Sequence, residues 1–427
     1  MKTPLRLLIV NLCFTTILCA QGLPVASPEN AGFSSERLQR LESVLNRYVQ
    51  QEQIAGAVAL VARKGKVVYL KSLGVQEVES KTPMQNNTIF RIASMTKPIT
   101  SVGVMILYEE GRFLLDDPLH KFLPEFKDMK VLNSERSTNG QAASDSLVAA
   151  KRPITIRHLL THTSGLTYHW NDKLGKTYEQ AGIAHGLGLH DETLAENVKK
   201  LAKLPLLHQP GEKWEYGLSI DVLGRLIEVV SGKSLKDFFE ERIFTPLKMR
   251  DTHFFLPADK VARLAVLYQY SAEKGLRRLP EGETKEGSLT FSPAYPYSGP
   301  RKLYAGGAGL CATISDYARF AQMLLNNGEL EGVRILSRKS VELMTADFAG
   351  ELSDSGFGLG FGIRRSLREG GELGSIGAYG WSGAWSTRFL IDPREQMFAI
   401  VMTQLYPYAA VDVMDKFTVM VYQALGD

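Results

Sequence analysis

Phe90-Arg91-Ile92-Ala93-Ser94-Met95-Thr96-Lys97-Pro98 is the stretch that decides how this chain folds, because the boundary between sheet-forming and helix-forming sequence falls inside it. From Met95 to Glu110, the residues Met95, Ile99, Val102 and Ile106 recur at helical spacing and predict one apolar stripe. Residues three apart share a side of a helix, so Lys97 can reach the hydroxyl of Ser94. A serine at a helix N-terminus also meets the dipole end that favours negative charge as its hydroxyl is deprotonated. Pro98 comes only about a turn into the helix, where its missing N–H costs least.

Outward from this point the two ends of the chain read as sheet and the middle as helix. Ser34 and Ser35 cap a helix with Leu38, Leu41, Leu45 and Tyr48 on one face. Ala55–Ala62 and Val67–Lys71 then form a hairpin around Lys64-Gly65-Lys66. Near the other end Trp385–Ile391 and Gln396–Met402 form a second hairpin, and Val411–Leu425 reads as a closing helix. Between them the helical patterns are Ile156–Thr161, Asp191–Leu201, Ser219–Val230 and Ile314–Leu325. The expected fold class is therefore mixed α/β (α+β): an antiparallel sheet flanked by helices, built from both termini, with a mainly helical lobe inserted. A unit over residues 27–427 would divide into a mixed lobe of about 27–90 and 340–427 and a helical lobe of about 91–339. The polar stretch Ser134–Arg152 and the loop Pro280–Gly309 read as surface excursions.

Composition excludes the extremes. A chain of 427 residues with 44% hydrophobic and 22% charged content describes a globular protein with a sizeable core. Residues 1–20 read as a secretory signal, with Lys2 and Arg6 ahead of an apolar run from Leu7 to Cys19 and the small Ala20 after it. That run is too short and too interrupted, by Asn11, Thr15 and Thr16, to suit a membrane span of about 20 apolar residues. The expectation is a periplasmic or secreted protein with no stable membrane insertion after cleavage. Removing the signal takes two basic residues, so 50 minus 46 becomes 48 minus 46, a balance with no hint of nucleic acid. Of the three cysteines, Cys13 and Cys19 lie in the signal, which leaves Cys311 without an internal disulfide partner.

A lysine amine has an ordinary pKa of about 10.4, and lowering it to about 7 or 8 would take about 4 kcal/mol of differential environment. The other route leaves Lys97 charged, holding a tyrosine deprotonated so that the tyrosinate takes the serine proton. The spacing alone is weak: Ser271-Ala272-Glu273-Lys274 repeats it in a polar stretch with no apolar stripe. Order supplies the specificity. After Ser94-Met95-Thr96-Lys97 come Leu115-Asp116-Asp117-Pro118-Leu119, then Ile154 through Arg157-His158-Leu159-Leu160-Thr161-His162-Thr163-Ser164-Gly165-Leu166. Pro210-Gly211-Glu212-Lys213-Trp214-Glu215-Tyr216, Gly306-Gly307-Ala308-Gly309-Leu310 and Gly380-Trp381-Ser382-Gly383-Ala384 follow.

In that order these segments resemble the serine β-lactamase and penicillin-binding-protein superfamily, nearest to the class C β-lactamase-like branch with the family VIII carboxylesterases. The resemblance implies Ser94 as acyl-accepting nucleophile, Lys97 as its proton partner and Tyr216 as base and proton shuttle. It implies an oxyanion hole from the backbone N–H groups of Ser94 and Ala384, and substrate contacts from Trp381, Ser382 and Gly383. Tyr304, with Tyr295 and Tyr297, is a candidate acyl-binding wall in the Pro-rich loop. Lactamase members carry Tyr-Xaa-Asn where this chain has Tyr216-Gly217-Leu218, and they carry Lys-Thr-Gly, which occurs nowhere here. Both departures favour a neutral ester over an anionic lactam. The expected partner is a small-molecule ester, with β-lactams or D-amino-acid peptides as the alternative, and the oligomeric state is left open.

Three competing readings fail. Gly380-Trp381-Ser382-Gly383-Ala384 nearly fits a nucleophile elbow, but that fold needs a histidine downstream and the last one is His253. His158 and His162 lack the glutamate a zinc hydrolase places after the first histidine, so both read as fold-supporting and neither metal nor cofactor is expected. Cys311 sits in a Gly-Leu-Cys-Ala run without a neighbouring base and reads as packing.

Overall fold

Gly56–Arg63 (β1), Lys66–Glu77 (β2) and Thr82–Pro83 (β3) from the front of the chain join five strands from its end in one sheet. These are Gly356–Phe357 (β4), Gly362–Ile363 (β5), Tyr379–Gly383 (β6), Thr387–Asp392 (β7) and Met397–Met402 (β8), and the spatial order is β4-β5-β6-β7-β8-β1-β2-β3. Every neighbouring pair is antiparallel. The computed structural model describes residues 22–133, 146–353, 355–367, 371, 373–408 and 410–427. The expected signal at 1–20 and residues 134–145 of the polar excursion lie outside the described residues. Among the described residues no helix is long and apolar enough to cross a membrane.

Strand alternation explains why both faces are covered. In β1, Val58, Leu60 and Ala62 point to one side, and their partners Met402, Ile400 and Phe398 in β8 point the same way. Ala57, Ala59 and Val61, with Met397, Ala399 and Val401, point to the other. The second face is closed by Ser35–Gln50 (α1) and Val413–Tyr422 (α5, the closing helix), through Leu38, Leu41, Leu45, Phe417 and Val421. Ser34 caps α1 by accepting the N–H of Arg37. The first face receives Thr96–Glu109 (α2) and Ile314–Leu325 (α4), with Ser219–Ser231 (α3) packed against α2.

α2 differs from the sequence reading in one respect. Its residues from Thr96 to Leu107 are buried on every side, so Met95, Ile99, Val102 and Ile106 form part of an enclosed helix and not a single stripe. Such a helix is a central element, clamped between the sheet and the helical insertion. The insertion also carries short ribbons that periodicity did not announce, among them Ile89–Arg91 paired with Cys311–Thr313. Ser271 ends the strand Tyr268–Ser271 and Lys274 lies in the turn before its partner Gly275–Arg278, so the second Ser-Xaa-Xaa-Lys instance starts no helix.

Three histidines of the insertion, His169, His185 and His190, pack edge to face, with ring centroids 5.1 and 5.4 Å apart. Burial depresses all three, His190 from an ordinary 6.5 to about 4, with His169 and Lys200 adding to its shift. The unfolded chain therefore binds protons at a higher pH than the folded one, and this contribution to stability is present above about 6.5 and lost as pH falls toward about 4. His190→Gln should lose less Tm than the parent chain between pH 7 and pH 4, and an equal loss in both proteins would contradict this assignment.

Candidate active site

Ser94 sits in a single 3-10 turn, Ala93–Met95, one step ahead of α2 and not within it. The turn is entered through Ala93 at φ 43°, a left-handed conformation that a residue with a side chain adopts only under constraint. The constraint is visible on all sides. Ile92 donates its N–H to Leu310 O at 3.0 Å, Leu310 donates to Thr96 Oγ1 at 3.1 Å, and Tyr317 of α4 donates to Met95 O at 2.9 Å. The end of β6 closes the remaining side: a Cβ on Gly383 would lie 2.3 Å from Ile92 O, so only glycine lets the strand approach the turn.

Lys97 projects back from the first turn of α2 and is 1% exposed. Its Nζ lies 3.4 Å from Ser94 Oγ, 2.8 Å from Tyr168 Oη and 2.7 Å from Gly307 O. It also stands 4.7 Å from the ring centre of Tyr216 and 5.3 Å from that of Tyr168. Two loops zip together to present these tyrosines. Glu215 donates its N–H to His162 O at 2.8 Å, Gly211 to Thr163 O at 2.7 Å and Leu207 to Gly165 O at 2.8 Å. The rings of Tyr168 and Tyr216 end 5.3 Å apart.

Trp381 of β6 donates its indole N–H to Tyr216 Oη at 3.3 Å, with ring centres 5.5 Å apart. Ser94, Lys97, Tyr216 and Trp381 are thus brought together as expected. Ser382 points the other way: its partner on β7 is Arg388, and its Oγ accepts from Tyr408 on the opposite face of the strand. Tyr304 packs against Phe254 and Phe255 at 5.4 and 5.8 Å, and Tyr295 is buried against the cluster of Phe291 and Trp385. These contacts are with other aromatic side chains of the insertion and the sheet, and not with Lys97 or Tyr216. Gly383 ends β6 beside the Ser94 turn, and Ala384 opens the turn that follows the strand.

Tyr168 is the residue the sequence reading missed. It lies two positions past Leu166, immediately beyond the motif that ends there. Burial first, and then Tyr216 and Asp221, push its phenol well above the ordinary range, so it stays protonated beside Lys97. His158 serves as a capping partner, accepting the N–H of Thr155 at 3.2 Å, while His162 accepts the N–H of Gly217 at 3.3 Å and packs on Tyr216 at 4.9 Å. Burial and then Lys97 hold His162 well below its ordinary value, hence neutral. Both imidazoles support the fold, and no metal-holding cluster occurs among the described residues. Burial pushes the Cys311 thiol up to about 12, which makes it inert. A cavity of about 770 Å³ runs along the sheet edge, lined by Trp214, Phe357, Trp381, Ser382 and Arg388. Ser94, Lys97 and Tyr216 do not line it, so the side-chain geometry and not the cavity locates the chemistry.

A serine beside a buried lysine and two tyrosines, at the junction of an antiparallel sheet and a helical insertion, is the arrangement of a serine hydrolase. The β-lactamase family model matches residues 41–422, and the chain belongs to that family. It is 33% identical to Protein Rv1367c of Mycobacterium tuberculosis over 379 residues, covering 84% of this chain and 88% of that one. It is 31% identical to Esterase EstB of Burkholderia gladioli over 376 residues, covering 85% and 89%. Among solved structures, EstCE1, described as a hydrolase with promiscuous acyltransferase activity, superposes with a TM-score of 0.76 at 26% identity, covering 92% of this chain and 98% of that one.

Tyr168→Phe deletes one of the contacts that seat Lys97 Nζ while keeping the ring. It should lower kcat by about 10- to 100-fold with KM changed little, the range for loss of one positioned polar contact in proton transfer. Unchanged steady-state kinetics would show that Tyr168 only fills space.

Proposed function

We propose that the protein is an exported carboxylesterase that cleaves small esters through an acyl-enzyme on Ser94. The observation that carries this reading is the uncharged chemistry of two positions near Tyr216, Trp381 and Leu218. Trp381 meets Tyr216 with an indole N–H where a substrate carboxylate would call for a cation, and Leu218, two residues after Tyr216, is fully buried and has no amide to offer a lactam. Esterase EstB, similar along most of the chain, supports an ester as the substrate. Export rests on the sequence of residues 1–20.

In the proposed reaction Ser94 Oγ attacks the ester carbonyl as its proton passes to the Lys97–Tyr216 pair. The N–H groups of Ser94 and Ala384 receive the charge that develops on the carbonyl oxygen, and losing one such donor costs about a hundred- to thousandfold in rate. Collapse of the tetrahedral adduct breaks the bond to the alkoxy group, which leaves as the alcohol with the stored proton. Water then repeats the sequence on the acyl-serine and returns the acid and free Ser94.

On this reading kcat/KM for p-nitrophenyl acetate or butyrate exceeds that for penicillins and cephalosporins by orders of magnitude, and Ser94→Ala abolishes the ester activity. A lactam value equal to or above the ester value overturns the substrate assignment, and a Ser94→Ala protein that still turns over overturns the nucleophile.

A further inference from the structure

Three arginines are buried among the described residues, Arg63, Arg91 and Arg319. Arg63 holds Glu395 at 2.7 Å and Arg319 holds Glu331 at 2.8 Å. Arg91 has no such partner. It closes the short strand Ile89–Arg91 and is 2% exposed. Its Nε donates to Pro293 O at 2.8 Å, and its Nη1 donates to Ala265 O at 2.8 Å and to Gln404 Oε1 at 3.0 Å. Those acceptors are all uncharged, and Nη2 has no hydrogen-bond partner among the described residues. A guanidinium keeps its proton, so an enclosed positive charge is left without a counter-ion, a costly state for a fold.

Arg91 lines a cavity of about 230 Å³ to which Ser94, Lys97, Tyr216 and Trp381 contribute nothing. Leu264 and Leu279 give it apolar sides, and Glu77, Arg278 and Glu281 also line it. The side chains of Glu77, Arg278 and Glu281 are 29%, 36% and 60% exposed, which puts them at the mouth and Arg91 at the floor. Arg278 donates to Glu77 at 2.6 Å and to Glu281 at 3.3 Å, and Glu79 stands 3.5 Å from it. One cation among these acids leaves the mouth with negative charge in excess. The floor keeps its positive charge, because burial pushes both the Cys311 thiol and the Tyr295 phenol beside Arg91 upward and so keeps them neutral. The charge of Glu281 does reach Arg91, but Glu281 is engaged by Arg278 and screened by water.

We propose that this cavity is a binding site for a small apolar amino acid, with its carboxylate on Nη2 of Arg91 and its ammonium beside Glu77 and Glu281. A carboxylate alone would satisfy the floor and meet the excess acid at the mouth, and an amine alone would do the reverse. A molecule carrying both charges satisfies both ends, through charge-assisted hydrogen bonds. Leu264 and Leu279 offer its side chain an apolar surface. The floor is held in place beforehand: the Arg91 N–H donates to Gln404 Oε1 at 3.1 Å, and Gln404 Nε2 donates back to Arg91 O at 3.1 Å. The site is separate from the reaction at Ser94 and does not depend on it.

Equilibrium dialysis of the full chain against radiolabelled valine tests the assignment. The chain should bind about one equivalent with a dissociation constant below about 10 mM. Unlabelled acetate and methylammonium, each with one of the two charges, should displace the label at least about tenfold less well than unlabelled valine. Arg91→Gln should abolish binding. Glu281→Lys reverses the charge at an exposed position and should weaken binding about tenfold or more, and it carries the test alone if Arg91→Gln does not fold. Ser94→Ala should bind valine as the parent chain does. The absence of saturable binding overturns the proposal, as does binding unchanged in Glu281→Lys. Acetate that displaces the label as well as valine does overturns it too, and so does binding lost in Ser94→Ala, which would place the valine in the catalytic cleft.

Discussion

The arrangement of the site depends on one buried lysine nitrogen. An amine enclosed at 1% exposure is tolerable only where its hydrogens find acceptors, and Lys97 finds a carbonyl, a phenol and a serine hydroxyl within 3.4 Å. Each acceptor belongs to a different part of the chain. Ser94 comes from the turn before α2, Tyr168 from the loop beyond Leu166, and Gly307 from the glycine run before the Cys311 strand. Satisfying one charge thus obliges three distant segments to converge, and the site follows from that convergence.

The sheet supplies the fixed wall. β6 ends at Gly383 against the Ile92 carbonyl, and Trp381 two residues earlier delivers its indole to Tyr216. α2 is enclosed on every side, so its first turn has no freedom to swing, and Ala93 holds its left-handed conformation because hydrogen bonds on either side leave no alternative. Rigid placement matters because a nucleophile displaced by about 1 Å loses about 100-fold in rate. The fold spends its most complete burial where such displacement would do most harm.

What was legible in the sequence is what local rules govern. The capped helix α1, the two terminal hairpins and α4 could be read because side-chain periodicity and capping residues act within a few positions. Ser94, Lys97, Tyr216 and Trp381 were found through motif order, and the structure brings them together. Tyr168 escaped because its place beside Lys97 is set by loops distant in sequence. Thr96, Lys97, Thr100 and Ser101 make α2 look one-sided in sequence, yet they are buried along with its apolar residues. Ser382 could be placed by alternation: in a strand its side chain points away from that of Trp381, toward Tyr408.

The central claim is that one serine hydroxyl is activated in the turn that precedes α2. Its most direct test is treatment of the full chain with a fluorophosphonate, followed by intact mass and peptide mapping. The account predicts a single adduct on Ser94 with parallel loss of ester hydrolysis, whereas an adduct on Ser382 or another serine, or lost activity without an adduct, would contradict it.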